Sequence, residues 1–164
     1  MNVGLLVLRL ALGATMAAHG AQKLWGWFGG PGLSGTAKGF ESLGFVPGRR
    51  AALFAGLAEV GGGSLLALGL LTPAAAAVFL ALMLVAAVSV HLPNGFFTQN
   101  GGFEYNLVLA VGALSLAFTG PGALSVDGAL GLPLSGAGWG IAALLAGLVG
   151  GAAQLATRRQ PVTG

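Results

Sequence analysis

Long apolar runs separated by short polar breaks set the first reading of the chain. A helix crossing the hydrocarbon core needs about 20 mostly apolar residues. Residues 3–25 form one such run, interrupted by Arg9, and residues 51–71 form a second, interrupted by Glu59. Residues 74–92 are almost purely Ala, Leu, Val and Phe, residues 104–120 form a shorter fourth run, and residues 137–156 carry no formal charge. The pattern predicts five membrane spans, with the fourth the shortest. The breaks agree with it. Thr72-Pro73 places a proline where a new helix starts and makes the second and third spans an antiparallel hairpin. HLPNG at 91–95 ends the third span, and GPG at 120–122 ends the fourth. The longest connector, 26–50, is glycine-rich and contains one weakly amphipathic piece, TAKGFESLGF, expected to lie along the membrane interface.

Composition makes the membrane reading firm. Of 164 residues, 55% are hydrophobic and 7% charged, whereas a soluble domain carries about 25% charged residues. The mean hydropathy is +0.88. The expected class is therefore an all-α polytopic bundle. The net charge of +3 is scattered along the chain, with no basic stripe for nucleic acid. Lys23, Lys38, Arg49 and Arg50 flank the first long loop, and Arg158 and Arg159 follow the last span. Five spans place loop and tail on one side, and the positive-inside rule makes that side cytoplasmic. The first run has no basic stretch before it and is broken by Arg9, so it reads as a span and not as a cleaved leader.

Ionisable residues in so apolar a chain are the informative ones, because a charge at a helix centre costs about 2.5–3.5 kcal/mol on insertion scales. Arg9 shares a helical face with Gly13, Met16 and Gly20, and Glu59 shares one with Gly56 and Gly63. Small-residue faces are those on which membrane helices approach, so Arg9 and Glu59 are expected to face one interior and to pair. His19 and Lys23 close the first span, His91 the third, and Glu104, Tyr105 and Asn106 open the fourth. The reading is a polar funnel descending from one surface, with His19, Lys23, His91 and Glu104 at its mouth, Glu59 deeper and Arg9 deepest. Asp127 stands alone at the other end. The blander alternatives are a structural Arg9–Glu59 bridge, an interfacial anchor at Lys23 beside Trp25 and Trp27, and a helix-dipole partner in Glu104.

Chemistry enters by elimination. The chain has no cysteine, which excludes disulfides, thiol relays and iron–sulfur clusters. It has no P-loop, nucleophile elbow or paired-histidine metal motif. Ligation of one haem by His19 and His91 is the weaker use of the two histidines. A lipophilic ligand with carbonyl or hydroxyl groups, such as a quinone, fits the funnel better, as would another lipid. In the quinone reading His19 and His91 donate to the headgroup, Lys23 and Arg9 balance a reduced anion, Glu59 holds Arg9, and Glu104 passes protons. Rival readings are a lipid or small-solute binding or transport protein, and a scaffold recruiting soluble redox enzymes through its basic first loop.

A set of short motifs narrows this. LRLALG at 8–13, HGAQKLWGWFGG at 19–30, FESLGF at 40–45, AEVGGGSLLALGLLT at 58–72, VHLPNGFF at 90–97, GGFEYNLVL at 101–109 and GPGALSVD at 120–127 together resemble the DoxX family of small bacterial membrane proteins. Arg9, His19, Gly20, Lys23, Glu59, His91, Glu104 and Asp127 fall on its polar pattern. The resemblance implies a four-helix core over residues 1–127, followed at 128–164 by an extra C-terminal span and basic tail. It also implies a bacterial inner-membrane location. Through the similar DoxD-type subunit of thiosulfate:quinone oxidoreductase, it implies links to quinone, sulfur metabolism and oxidative-stress defence, an oxidoreductase-subunit role, and soluble redox partners. In the fifth span Ala143, Gly147 and Gly151 make a small-residue stripe suited to docking or to a homo-oligomer.

Overall fold

Proline and glycine punctuate the chain where the apolar runs change direction. The computed structural model describes residues 2–159, and all regular structure within them is helical. The elements are α1 (Asn2–Trp25), α2 (Gly32–Ser42), α3 (Gly48–Leu68), α4 (Thr72–Ala86), α5 (Glu104–Thr119), the single turn α6 (Val126–Ala129) and α7 (Ala137–Ala156). α4 runs on through a π-turn at Ala87–His91 and a 3₁₀ turn at Leu92–Asn94. Four of these helices are long and apolar enough to cross a membrane: α1, α3, α7 and the continuous stretch Thr72–Asn94. α5 has 16 residues and reaches about 24 Å, somewhat less than a full span, and it completes the bundle as the short fourth run foretold.

The first close pair is α1 against α3. Gly13 lies on the Gly63 backbone, and a Cβ on Gly63 would meet the Gly13 carbonyl oxygen at 2.6 Å. One on Gly20 would meet the Gly56 carbonyl oxygen at 2.7 Å. Both pairs stand seven positions apart on their helices, so the two antiparallel backbones touch twice in one register. The faces read from sequence hold: Arg9, Gly13, Met16 and Gly20 on α1 and Gly56, Glu59 and Gly63 on α3 are buried. Leu12, Met16, Leu66, Phe79, Met83 and Leu109 fill the space between helices, while Val3 and Val7 of α1, Phe54 and Leu57 of α3 and Val108 of α5 face outward as a lipid-facing surface would.

α7 packs on α4 and α5. Its Gly147 lies 2.5 Å, as a would-be Cβ, from Leu80 and 3.0 Å from the Ala77 carbonyl, and Gly151 meets Leu84 in the same way. Ala143 is buried. The stripe Ala143, Gly147, Gly151 thus docks α7 within its own chain, one of the two uses that its small residues suggest. At the end of α7, Arg159 N donates to the Gly44 carbonyl at 2.8 Å, and Arg158 Nε donates to the Leu43 carbonyl. The tail and the first loop therefore lie at one end of the bundle. α2 is the amphipathic piece of that loop, and it packs on α1 and α3 with Phe45 buried beyond it.

Candidate functional site

The register of α1 on α3 decides which charges meet. Lys23 Nζ lies 2.6 Å from both carboxylate oxygens of Glu59. The lysine side chain is 26% exposed and the glutamate 7%, so the pair sits at the edge of the bundle with its anion inside and its cation near the surface. His19, one turn before Lys23, has its Nε2 3.4 Å from the Tyr105 hydroxyl of α5, with the rings edge to face. Thr36 of α2 donates to the Lys23 carbonyl at 3.3 Å, so the amphipathic helix of the loop braces this turn. Three helices thus bring His19, Lys23, Glu59 and Tyr105 to one end. Asn106, beside Tyr105, is buried with its Nδ2 3.6 Å from the Met83 sulfur and its Oδ1 without a partner.

Arg9 is elsewhere, and this corrects the single funnel and the Arg9–Glu59 pair expected from sequence. Arg9 and Lys23 are 14 positions apart, about 21 Å along α1. Arg9 is 2% exposed, and its Nη1 donates to the Ala67 carbonyl at 2.6 Å, in the last turn of α3. A cation at that position opposes the negative end of the helix dipole. Asp127 completes the same corner. Its carboxylate accepts from Leu71 N (2.8 Å), Thr72 N (3.0 Å) and Thr72 Oγ1 (2.7 Å), capping the start of α4. Its own N–H donates to the Gly69 carbonyl at 2.8 Å. The tight α3–α4 turn, with Gly69 at φ 63° and Leu71 at φ 49°, is held between a buried cation and a buried anion. Glu59 therefore does not hold Arg9; the α3 carbonyl does.

His91 and Glu104 stand at the Lys23 end but hold a loop together. His91 Nδ1 lies 2.7 Å from the Gly101 carbonyl and so carries the proton of that bond, while Glu104 accepts from Thr98 N at 3.0 Å. Asn94 Nδ2 reaches the same Gly101 carbonyl at 3.3 Å. The segment 92–103 is thus tied down by the very residues expected to relay protons. Sequence reasoning placed Tyr105 and Asn106 at this end without giving them a role. Their signal was available: a phenol and an amide at the start of an otherwise apolar helix need partners. Among the described residues no three His, Asp or Glu side chains gather in a way that could hold a metal ion.

A polytopic helical bundle with a buried acid paired to a surface-reaching lysine at one end defines a multi-pass membrane protein with an interfacial polar site. The family model described as DoxX matches residues 4–92. The inner membrane protein YqjF of Escherichia coli (strain K12) is 33% identical over 126 residues, which is 77% of this chain and 91% of that protein. The chain belongs to the DoxX family. No solved structure matches it.

Proposed function

We propose that this chain is an inner-membrane component of a redox pathway that binds a quinone headgroup at the His19–Lys23–Glu59–Tyr105 cluster. The observation that carries the reading is a set of side-chain donors and one carboxylate acceptor, drawn from three helices, at the edge of an apolar bundle. The His19–Tyr105 separation of 3.4 Å is longer than a well-made hydrogen bond, so both groups keep capacity for a ligand. Lys23 reaches solvent while Glu59 fixes its position. A bound quinone would supply two-electron, two-proton chemistry. Toward it, Lys23 donates to a carbonyl oxygen and balances negative charge, Glu59 orients Lys23 by accepting its hydrogen bonds, and His19 and Tyr105 donate at the other edge. His91 and Glu104 act at one remove by fixing segment 92–103, and Arg9 has only an architectural part.

The similarity to an inner membrane protein supports the location, and the basic first loop and tail support a cytoplasmic side for both. A chain without cysteine needs an electron-supplying partner, and Lys38, Arg49 and Arg50 offer a soluble redox enzyme its contact on that side. The test is equilibrium binding of a short-chain ubiquinone analogue to protein in nanodiscs, followed by quenching of Trp25 and Trp27. Saturable binding that weakens roughly tenfold in Lys23→Met and in His19→Ala is expected, the loss of one charge-assisted or ring hydrogen bond. Absent saturation, or equal binding in both variants, overturns the reading. Saturable phospholipid binding that weakens in Lys23→Met and His19→Ala, with no saturable binding of the quinone analogue, favours the lipid-binding alternative.

A further inference from the structure

A cavity of about 230 Å³ opens at the tail end of the bundle, apart from the Lys23–Glu59 cluster. Its walls come from the turn before α3 (Phe45, Val46, Pro47), the first turns of α3 (Arg50, Ala51, Phe54) and the end of α7 (Gln154, Thr157). The end of α7 is held against this turn because Arg158 and Arg159 bond to the Leu43 and Gly44 carbonyls. Arg50 is exposed and makes no ion pair among the described residues. On α3, Arg50, Phe54 and Leu57 follow one another at four- and three-residue steps, which places them on one face. Phe54 is 69% exposed and Leu57 is 55% exposed. The face thus reads, from the membrane surface inward, as a cation beside a small cavity of mixed polar and apolar walls and then an apolar track. Gln154 and Thr157 add amide and hydroxyl groups to the same mouth.

We propose that this cavity binds an anionic phospholipid, with its phosphate at Arg50 and an acyl chain along Phe54 and Leu57. Charge decides the occupant. The cavity wall carries Arg50 and no carboxylate, and the nearest acid in the loop, Glu41, is engaged with Gly48 N at 3.1 Å. A guanidinium binds a phosphate diester through two parallel N–H groups, and the apolar track has the orientation a bilayer lipid requires. The cavity shares Arg50 with the basic loop surface but no residue with the His19–Lys23–Glu59–Tyr105 cluster, so lipid binding here and quinone binding there fail separately.

The experiment is native mass spectrometry of the full chain released from nanodiscs containing equal phosphatidylglycerol and phosphatidylcholine. One retained phosphatidylglycerol is expected in preference to phosphatidylcholine. Retention should fall about fivefold in Arg50→Gln, the effect of one basic residue near a membrane surface. Phe54→Ala should lower it too, Arg50→Lys should keep part of it, and Lys38→Gln, outside the cavity, should leave it unchanged. Millimolar inorganic phosphate should not displace the lipid; displacement would mean a free-phosphate site and overturn the proposal. So would equal retention of the two lipids, or retention in Arg50→Gln equal to that of the unmodified chain. Arg50 is on the surface, and an unchanged thermal transition in Arg50→Gln shows that a lost adduct is not a lost fold.

Discussion

The two ends of the bundle treat charge in opposite ways. At the α3–α4 corner, Arg9 and Asp127 are almost wholly buried and bond to backbone: one to a carbonyl of the last turn of α3, the other to the first N–H groups of α4. At the other end, Lys23 bonds to Glu59 and His19 to Tyr105, and all of these but Glu59 are partly exposed. A charge committed to backbone groups that have no other partner is architecture, since releasing it strands a helix end in lipid. A charge committed to another side chain at a membrane surface can exchange partners. The same residue types in the same apolar chain thus serve two purposes, and the bonding partner tells them apart where burial alone does not.

Breaking the corner should cost most. Asp127→Ala strands two N–H groups and a hydroxyl, and it is expected to lower unfolding free energy by about 3 kcal/mol or more, read as a large drop in the thermal transition in detergent. Asp127→Asn, which keeps an acceptor, should recover part of it. Ligand binding by the surviving folded protein should be unchanged, and a binding loss matching the stability loss would undo the separation of the two ends. Next comes the shared spine. Gly13→Val drives a side chain into the Gly63 backbone, at a cost of about 1–3 kcal/mol. Because it shifts the register of α1 on α3, it should also weaken quinone-analogue binding at the far end. A stable variant with intact binding would show that the site does not depend on that register. The smallest effect belongs to the tail. Arg158→Ala removes one exposed hydrogen bond to Leu43 and should change stability by no more than about 0.5 kcal/mol, with faster proteolysis of the C-terminus as its visible consequence.

Much of this architecture is legible in the sequence. Apolar runs and their proline and glycine breaks foretell the spans, and helical phase puts Arg9 and Glu59 on buried faces. The stripe on α7 announces a close contact, which proves to be with α4. What the faces cannot give is axial register. Phase says which way Glu59 points, but only the sliding of α1 along α3 says whether it meets Arg9 or Lys23. The equal seven-residue spacing of Gly13 with Gly20 and of Gly56 with Gly63 holds that information. Paired antiparallel, it puts Ala67 opposite Arg9 and Glu59 opposite Ala17, six residues from Lys23 and eight from Arg9. Asp127 is harder to read, because the N–H groups it caps lie 55 and 56 positions earlier, and no local capping signature marks such a partner. His91 and Glu104 are placed at the correct end by sequence but differ in role, since a carbonyl 10 residues away and an N–H 6 residues away satisfy them within their own loop.

The division of charges between the ends can be measured with paired double-mutant cycles on unfolding free energy, using Lys23→Met and Arg9→Met, each combined with Glu59→Leu. A coupling of about 1–3 kcal/mol is expected for Lys23 with Glu59, because a lone buried carboxylate is costlier than none, and within about 0.5 kcal/mol of zero for Arg9 with Glu59, which are not neighbours. Strong coupling of Arg9 to Glu59, with none for Lys23, would restore the single deep funnel and contradict the separation of architectural from exchangeable charge.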